Sequence, residues 1–399
     1  KREETMDDQQ PPADPVWLAA EAASFDAFRR LVDRGTDPAD WPRAARIERN
    51  VLVYDGAAVA RAAAEPAERR ALAAEWAAAF ATGPGVIVIS GAYPDPAPLD
   101  RATALFERII EEQHRSATGG GDHFAKPGAN DRIWNALEKH CLADPAGFAL
   151  YYGNPAIALA SEAWLGPGYQ MTAQVNRVNP GGAAQTAHRD YHLGFMSPEE
   201  AARFPAHVHR LSPALTLQGA VAHGDMPLET GPTLLLPYSQ LFLEGYLAFG
   251  LPAFQDWFRD HHVQLPLAKG DLLFFNPALM HGAGTNRTAD RFRMANLLQV
   301  SSAFGRAMEA IDRTRMTLAL YPALLALCAE RRLTEAEAGN AIAAAAEGYA
   351  FPTNLDTDPP IGGLAPKTQA RLTTEALAAG TDPEAFAALI REHAARRQP

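Results

Sequence analysis

The amino-acid sequence predicts an α+β protein in which an antiparallel β core is flanked by helical segments at both ends. The middle of the chain contains short extended runs bounded by Gly, Pro and Asn. Strands of this size and density are typical of a β-sandwich or barrel. Ala-rich stretches with helical spacing precede this region and also follow Phe304.

The composition fits a globular protein and disfavours two kinds of partner. The chain has 399 residues, 47% of them hydrophobic and 21% charged, which is enough to bury a large core. Its formal net charge of −11 favours neither nucleic acid nor an anionic membrane. We find no apolar run of about 18 residues and no signal peptide. Cys141 and Cys328 show no disulfide or zinc-ribbon spacing, so we expect a cytoplasmic protein.

Local patterns predict the individual elements. The polar, Pro-rich residues 1–15 are expected to be disordered. Helical spacing indicates helices over residues 16–33, 57–80 and 99–113, and the apolar run at 86–89 predicts a buried strand. Further strands are predicted at residues 170–178, 214–222, 233–237, 262–266, 271–275 and 291–301, and a Pro/Gly-rich loop at 351–366.

His188 and Asp190 form the first part of a candidate metal site. They follow a Gly-rich turn, and in an extended segment positions i and i+2 point to the same face. His281, within Met-His-Gly-Ala-Gly, offers a third ligand, and small glycines let a backbone approach a metal closely. Two imidazoles and one carboxylate are the ligand set of non-heme Fe(II) oxygenases, which leave positions open for a 2-oxo acid and O2.

Two arginines beyond His281 are candidates for binding the far carboxylate of such a 2-oxo acid. Arginine suits this role better than lysine because its planar fork binds a carboxylate bidentately. Arg291 and Arg293 share strand parity, so the sequence alone does not separate them.

Two other histidine pairs resemble metal ligands by spacing only. His223 and Asp225 are separated by a glycine and followed by Met-Pro, which predicts a turn that would not hold the pair parallel. His207 and His209 have the same spacing but no accompanying carboxylate, and a surface strand or loop is expected there.

The metal ligands, Arg293 and the stretch Thr-Gly-Pro-Thr-Leu-Leu-Leu-Pro-Tyr-Ser at 230–239 together resemble the phytanoyl-CoA dioxygenase family of Fe(II)/2-oxoglutarate oxygenases. The resemblance covers residues 170–300 and implies a double-stranded β-helix, or jelly-roll, core of the cupin-like type. It also implies that His188, Asp190 and His281 bind iron and that Arg293 holds 2-oxoglutarate.

The resemblance has further implications and one departure. Gln174 and Asn176 would line the 2-oxoglutarate pocket, while ordinary polar lining of a sheet face is an equal alternative. The family commonly has Pro-Gly-Ser-His where this chain has Pro-Tyr-Ser-Gln at 237–240, which we interpret as a changed surface turn. Residues 16–303 would form the jelly-roll oxygenase domain with its N-terminal helices, and residues 304–399 a helical extension packed on it.

The predicted function is hydroxylation of an unactivated C–H of a small molecule, with release of succinate and CO2. Asp190 argues against halogenation, because related halogenases replace this carboxylate with Ala or Gly. Desaturation, epimerisation and cyclisation use the same ligands and remain open. A non-catalytic ligand-binding jelly roll and a zinc hydrolase are the rivals from other classes. No catalytic side chain is expected beyond the iron ligands, and candidate substrate-binding residues are Tyr191, His192, Lys126, Arg132 and Trp134.

Overall fold

The computed structural model describes residues 14–116 and 128–398, which form a large sheet, a small second sheet and surrounding helices. The strands are β1 (Arg46–Glu48), β2 (Val51–Asp55), β3 (Val86–Ser90), β4 (Asn130–Ile133), β5 (Gln170–Val178), β6 (Thr216–Ala222), β7 (Leu234–Leu236), β8 (Leu272–Phe275), β9 (Met280–Gly282) and β10 (Arg293–Ser301).

The helices lie mainly before β5 and after β10. They are α1 (Phe25–Val32), α2 (Gly56–Ala64), α3 (Pro66–Ala81), α4 (Ala97–Ser116), α5 (Ala136–Ala143), α6 (Pro145–Tyr152), α7 (Pro155–Leu165), α8 (Pro198–Ala201), α9 (Ala206–Leu211), α10 (Gly245–Ala248), α11 (Pro252–His261), α12 (Arg313–Ala329), α13 (Glu335–Ala345), α14 (Gln369–Ala379) and α15 (Pro383–Arg396). None of these helices combines the length and the apolar character that a membrane span requires.

The large sheet has eight strands in the order β1-β2-β3-β8-β6-β10-β5-β4. Neighbouring strands are antiparallel except β2 and β3, which are parallel. β10 pairs along its length with β5 on one side and with β6 on the other. The predicted strands at 170–178 and 291–301 therefore lie side by side in the half of the sheet that ends at β4.

The second sheet faces the large one. β7 pairs with β9, and single bridges extend this pair from Leu235 to Val263 and from His281 to His188. Leu235 packs in the same apolar cluster as Val88 and Leu273 of the large sheet. Two sheets packed in this way form the predicted jelly roll, and the predicted α+β fold class is confirmed.

Side-chain alternation divides the large sheet into two faces. On β5, Met171, Ala173 and Val175 belong to the core between the sheet and the helices. The alternate residues Gln174 and Asn176 are also buried but point to the opposite face, toward the second sheet. The interior of the jelly roll is consequently polar at β5, whereas near β3 and β8 it is apolar.

The helical regions differ from the predictions in detail. The predicted helix at 57–80 is two helices, because Pro66 begins α3 and proline is favoured at the first position of a helix. The predicted helix at 16–33 shortens to α1 and a single 3-10 turn at Ala20–Ala22. His207 and His209 lie on α9, so the expectation of a strand or loop there was wrong. Residues 262–266 contribute one bridge and not a full strand.

The region after Phe304 is helical, as predicted. Met316, Leu320 and Leu324 of α12 belong to the core shared with the large sheet. Tyr321, on the other side of α12, stacks on Phe386 of α15 with ring centroids 3.7 Å apart. The predicted loop at 351–366 separates α13 from α14. The division of the chain at residue 303 stays a prediction.

The core between sheet and helices yields a stability prediction. Phe274 on β8 is fully buried, so Phe274→Ala should lower the free energy of unfolding by about 3–5 kcal/mol through lost burial and a cavity. Urea denaturation followed by circular dichroism measures this change. Phe304→Ala, at an almost fully exposed phenylalanine, is the matched control and should change the stability by less than about 0.5 kcal/mol. Equal effects of the two substitutions would contradict the assigned core.

Candidate metal centre

The pairing of two distant chain segments brings the predicted ligands together. The backbone N–H of His188 donates to the carbonyl of His281 at 2.9 Å, and the reverse bond measures 3.0 Å. Residues that exchange both bonds stand directly opposite one another, and their side chains share a face. The two imidazole rings have centroids 4.5 Å apart. Asp190 lies two residues after His188, and its carboxylate reaches the same place.

The three side chains converge, so that the two histidine Nε2 atoms lie near the Asp190 carboxylate oxygens. Asp190 Oδ1 lies 3.7 Å from His188 Nε2, and Asp190 Oδ2 lies 3.7 Å from His281 Nε2. Each histidine places Nδ1 against a backbone carbonyl, at 2.9 Å from Thr186 O and 2.8 Å from Leu279 O. A carbonyl can only accept, so Nδ1 carries the proton and Nε2 presents its lone pair.

This group fits a divalent metal ion. One ligand atom from each residue lies within 4.8 Å of the others, and no second group of three such residues occurs in the described chain. Asp190 Oδ1 is buried without a hydrogen-bond partner, while Oδ2 accepts from the Gln218 amide. Burial and the neighbouring His188 lower the pKa of His281 to about 4, so the imidazole is neutral at neutral pH, as metal ligation requires.

Arg293 lies at the start of β10 and points into the jelly roll. Its side chain is buried and donates to the carbonyls of Thr230 at 3.2 Å and Gly284 at 3.3 Å. Burial lowers the pKa of Arg293 to about 10, which leaves the group charged at neutral pH. No carboxylate among the described residues pairs with it. Arg291, by contrast, is exposed, so burial separates the two arginines where strand parity did not.

A buried asparagine shapes the turn before Arg293. Asn286 donates through Nδ2 to the carbonyl of Arg291 at 2.8 Å, and its Oδ1 accepts from the Thr288 hydroxyl at 2.6 Å. Its backbone accepts from the N–H of Gly181 and donates to the carbonyl of Gly182. The turn that precedes the His188 segment is thus tied to the turn that precedes Arg293.

Gln174 and Asn176 lie on the interior face, as predicted. Gln174 Oε1 accepts from Arg132 at 2.5 Å, and Asn176 Oδ1 accepts from Asn130 at 2.8 Å. Arg132 also lies over the ring of Trp134, with its guanidinium carbon 4.9 Å from the centroid. Their roles in binding 2-oxoglutarate or substrate stay predictions.

The remaining predicted substrate residues lie in different surroundings. Tyr191 points away from the metal ligands and packs edge-on against Tyr246, with ring centroids 4.7 Å apart. His192 Nδ1 lies 2.8 Å from the hydroxyl of Thr216 at the start of β6. Lys126 is outside the described residues. His192 therefore lies beside the start of β6, and the Arg132–Trp134 pair lies at β4, next to β5. Their roles in substrate binding stay predictions.

Arg189 is a residue whose role the sequence did not reveal. It lies between two ligands but points to the opposite side, where its buried guanidinium donates to the carbonyls of Phe242 at 2.9 Å and Ser239. Its guanidinium carbon lies 5.5 Å from the ring centroid of Tyr246. A Cβ at Gly245 would overlap the guanidinium, so a glycine is needed there.

The turn that Arg189 holds supports the other ligands. Ser239 Oγ accepts the backbone N–H of Met280, the residue before His281, at 2.7 Å. The Tyr246 hydroxyl donates to the carbonyl of Asp190 at 3.1 Å. The Arg189 guanidinium is therefore linked through Ser239 to the backbone before His281, and through Tyr246 to the backbone of Asp190.

One sequence interpretation was wrong, and the structure agrees with another. The interpretation of residues 237–240 as a surface turn was wrong, because Tyr238 and Ser239 are buried. The decoy pair separates as predicted: His223 is buried against the Tyr151 hydroxyl at 2.9 Å, whereas Asp225 is exposed.

A jelly roll with two histidines and one carboxylate on a single face defines the class of non-heme iron oxygenases. The sequence model of the phytanoyl-CoA dioxygenase family matches residues 53–295, and the chain belongs to this family. Membership and the His-Asp-His group confirm the predicted iron, 2-oxoglutarate and O2. The protein is an Fe/2-oxoglutarate-dependent oxygenase-type enzyme.

Three solved structures are among those to which the chain is similar. The non-heme α-ketoglutarate-dependent epimerase SnoN from nogalamycin biosynthesis is 19% identical, with a TM-score of 0.43 over 60% of this chain and 85% of its own. The carbocyclase SnoK from the same biosynthesis is 20% identical, with a TM-score of 0.42 over 57% and 83%. AviO1 from Streptomyces viridochromogenes is 18% identical, with a TM-score of 0.42 over 59% and 96%. No curated protein matches the chain.

The Arg189 contacts predict a linked loss of stability and metal affinity. Arg189→Met should lower the free energy of unfolding by about 1–3 kcal/mol, because two buried carbonyls lose their donor. It should also weaken Co(II) binding about tenfold, as loss of a support of metal ligands does. Absorption titration with Co(II) and urea denaturation measure the two effects.

Arg203→Met, at an exposed arginine, is the matched control and should leave both quantities unchanged. Arg189→Lys should recover part of the Co(II) affinity by restoring one donor. Unchanged Co(II) affinity in Arg189→Met would show that the residue does not position the ligands.

Proposed function

We propose that this enzyme hydroxylates an unactivated C–H of a small molecule, and that His188, Asp190 and His281 bind its Fe(II). The observation that carries the proposal is the convergence of the three side chains, and no described residue hydrogen-bonds to either Nε2 atom or to Asp190 Oδ1. Three ligands on one face leave the opposite face of an octahedral ion for cosubstrate and O2.

When bound, iron and 2-oxoglutarate would supply O2 activation, with release of succinate and CO2. The protein contributes orientation: the carbonyls of Thr186 and Leu279 fix the tautomers of the two histidines. The Gln218 amide orients the Asp190 carboxylate, because it donates to Oδ2 and leaves Oδ1 for the metal. These contacts keep the ligand set in one geometry before the metal arrives.

Arg293 is the proposed partner of the far carboxylate of 2-oxoglutarate. Its guanidinium contacts the carbonyl of Gly284, three residues after His281, or about 10 Å of extended chain from that ligand. This separation suits a short dicarboxylate that reaches from the metal to the arginine. The hydrogen-bond partners of the buried Arg293 guanidinium among the described residues are carbonyls, which favours an anionic ligand there. Gln174 and Asn176 add polar surface to the same interior.

The intact carboxylate and the buried arginine favour this function over its rivals. Asp190 occupies the position that a halogenase would leave open for chloride. A zinc hydrolase has no need for an arginine buried beside its ligands, and a non-catalytic binding protein would show no O2-dependent turnover. Desaturation, epimerisation and cyclisation would use the same residues, so the products distinguish them from hydroxylation.

Anaerobic addition of Fe(II) and 2-oxoglutarate tests the metal site. The protein should develop the weak visible charge-transfer band of the chelate, and Asp190→Ala should lose it because a ligand is missing. Asp225→Ala, at the exposed carboxylate of the decoy pair, is the control and should keep the band. An unchanged band in Asp190→Ala, or none in the unaltered protein, would contradict the assignment.

The two arginines allow a paired test of cosubstrate binding. Arg293→Ala should weaken 2-oxoglutarate binding by one to two orders of magnitude, since a charge-assisted pair contributes about 1.5–3 kcal/mol. Calorimetric titration of the anaerobic Fe(II) protein measures the affinity. Arg291→Ala should bind 2-oxoglutarate normally, and the reverse order of effects would show that Arg291 is the partner.

A metabolite panel tests the reaction itself. A substrate should stimulate succinate release and gain one oxygen atom, which mass spectrometry of the product detects. A product that loses two hydrogens would indicate desaturation or cyclisation, and a product with the mass of its substrate would indicate epimerisation, instead of hydroxylation.

A further inference from the structure

Exposed apolar side chains occupy two loops near the metal group and β5. Leu193 and Phe195 follow the His188 segment, and Phe304 and Met308 follow β10. Each of the four is more than half exposed. Exposed apolar side chains gathered around a site are typical of a ligand-binding surface.

The two loops contact one another through His192. Its Nε2 accepts the backbone N–H of Arg306 at 3.3 Å, while its Nδ1 lies 2.8 Å from the Thr216 hydroxyl. Its ring packs so closely on Gly305 that a Cβ there would approach within 2.8 Å. The loop at 191–196 and the loop at 302–309 therefore form one continuous rim.

This rim contacts the metal group at one point and β5 at another. The Phe195 ring lies 5.7 Å from the His188 ring. Across the interior, Met308 Sδ lies 3.6 Å from Nε2 of Gln174 on β5. The Gln218 that bonds Asp190 lies on β6, two strands away from β5, which is about 10 Å.

Glu309 adds a charged group at the Met308 side of the rim. Its Oε1 accepts the backbone N–H of Asn135 at 2.8 Å, but Oε2 is buried and accepts no hydrogen bond from the described residues. Burial raises the pKa of Glu309, and the Asn135 N–H, the nearby Gln174 amide and the Arg132 charge offset only part of this effect. The Gln174 amide donates to Met308 Sδ and forms no hydrogen bond with Oε2. A buried acceptor without a donor favours a ligand that supplies one.

We propose that this rim is the substrate mouth of the iron site, and that it takes a mostly apolar small molecule bearing a hydroxyl or ammonium group. The apolar body would lie between Phe195 and Met308, and the donor group would bind Glu309 Oε2. An anionic group at that end is disfavoured because it would meet the Glu309 carboxylate. The assignment rests on the function proposed above.

Three probes with one aromatic body test the mouth: naphthylethylamine, naphthylethanol and naphthylacetate. Each is titrated into the anaerobic Fe(II)/2-oxoglutarate protein, and binding is followed by the fluorescence anisotropy of the naphthyl group. The amine and the alcohol should bind at least about tenfold more tightly than the carboxylate, as expected for a charge-assisted hydrogen bond against a like-charge contact. Equal affinities for all three would overturn the role of Glu309.

Variants separate the two parts of the proposal. Glu309→Gln keeps an acceptor for Asn135 and should reduce the preference for the amine over the carboxylate by about tenfold. The double variant Phe195→Ser with Met308→Ser should weaken all three probes by about tenfold through lost apolar contact. Leu364→Ser, at a fully exposed leucine elsewhere, is the control and should bind the probes normally.

The chelate band recorded in the same samples distinguishes this proposal from the function it rests on. A normal band together with probe affinities that the double variant leaves unchanged would overturn the mouth alone. Loss of the band in the unaltered protein would overturn the iron site, whether or not the probes bind. A normal band with the predicted order of affinities supports both.

Discussion

The site depends on one backbone pairing, in which His188 and His281 exchange two hydrogen bonds across the second sheet. This pairing is what brings the two histidines together, because they belong to segments that are distant in the sequence. The pairing places both rings on one face, and strand periodicity then delivers the Asp190 carboxylate to the same point. The large sheet fixes that carboxylate from the other side, because the Gln218 amide of β6 donates to it.

Two buried arginines near this pairing have different roles, one structural and one proposed for ligand binding. Arg189 donates to the carbonyls of Phe242 and Ser239 and lies over the ring of Tyr246, so its charge stabilises the local fold. Arg293 contacts two carbonyls and has no carboxylate partner in the described chain, so its charge is available to a ligand. Because a buried unpaired charge is costly, both positions indicate function more strongly than exposed arginines do.

The sequence predicted what depends on periodicity and missed what depends on distant backbone. Parity alone placed His188 with Asp190, and alternation predicted β5 and β10. Parity could not rank Arg293 above Arg291, and only the family resemblance favoured Arg293, because the Asn286 turn that buries one and exposes the other is a tertiary feature. Arg189 resembled a spacer since its partners are main-chain carbonyls. The buried Tyr238–Ser239 turn was mistaken for surface for the same reason: Ser239 supports Met280 through a backbone N–H.

The central claim is that one Fe(II) ion binds between His188, Asp190 and His281. The most direct test is an anomalous difference map at the iron edge, from crystals grown anaerobically with Fe(II) and 2-oxoglutarate. The account predicts a single strong peak within bonding distance of both Nε2 atoms and of Asp190 Oδ1, with the cosubstrate extending from it toward Arg293. A peak at another group, or cosubstrate bound away from Arg293, would contradict it.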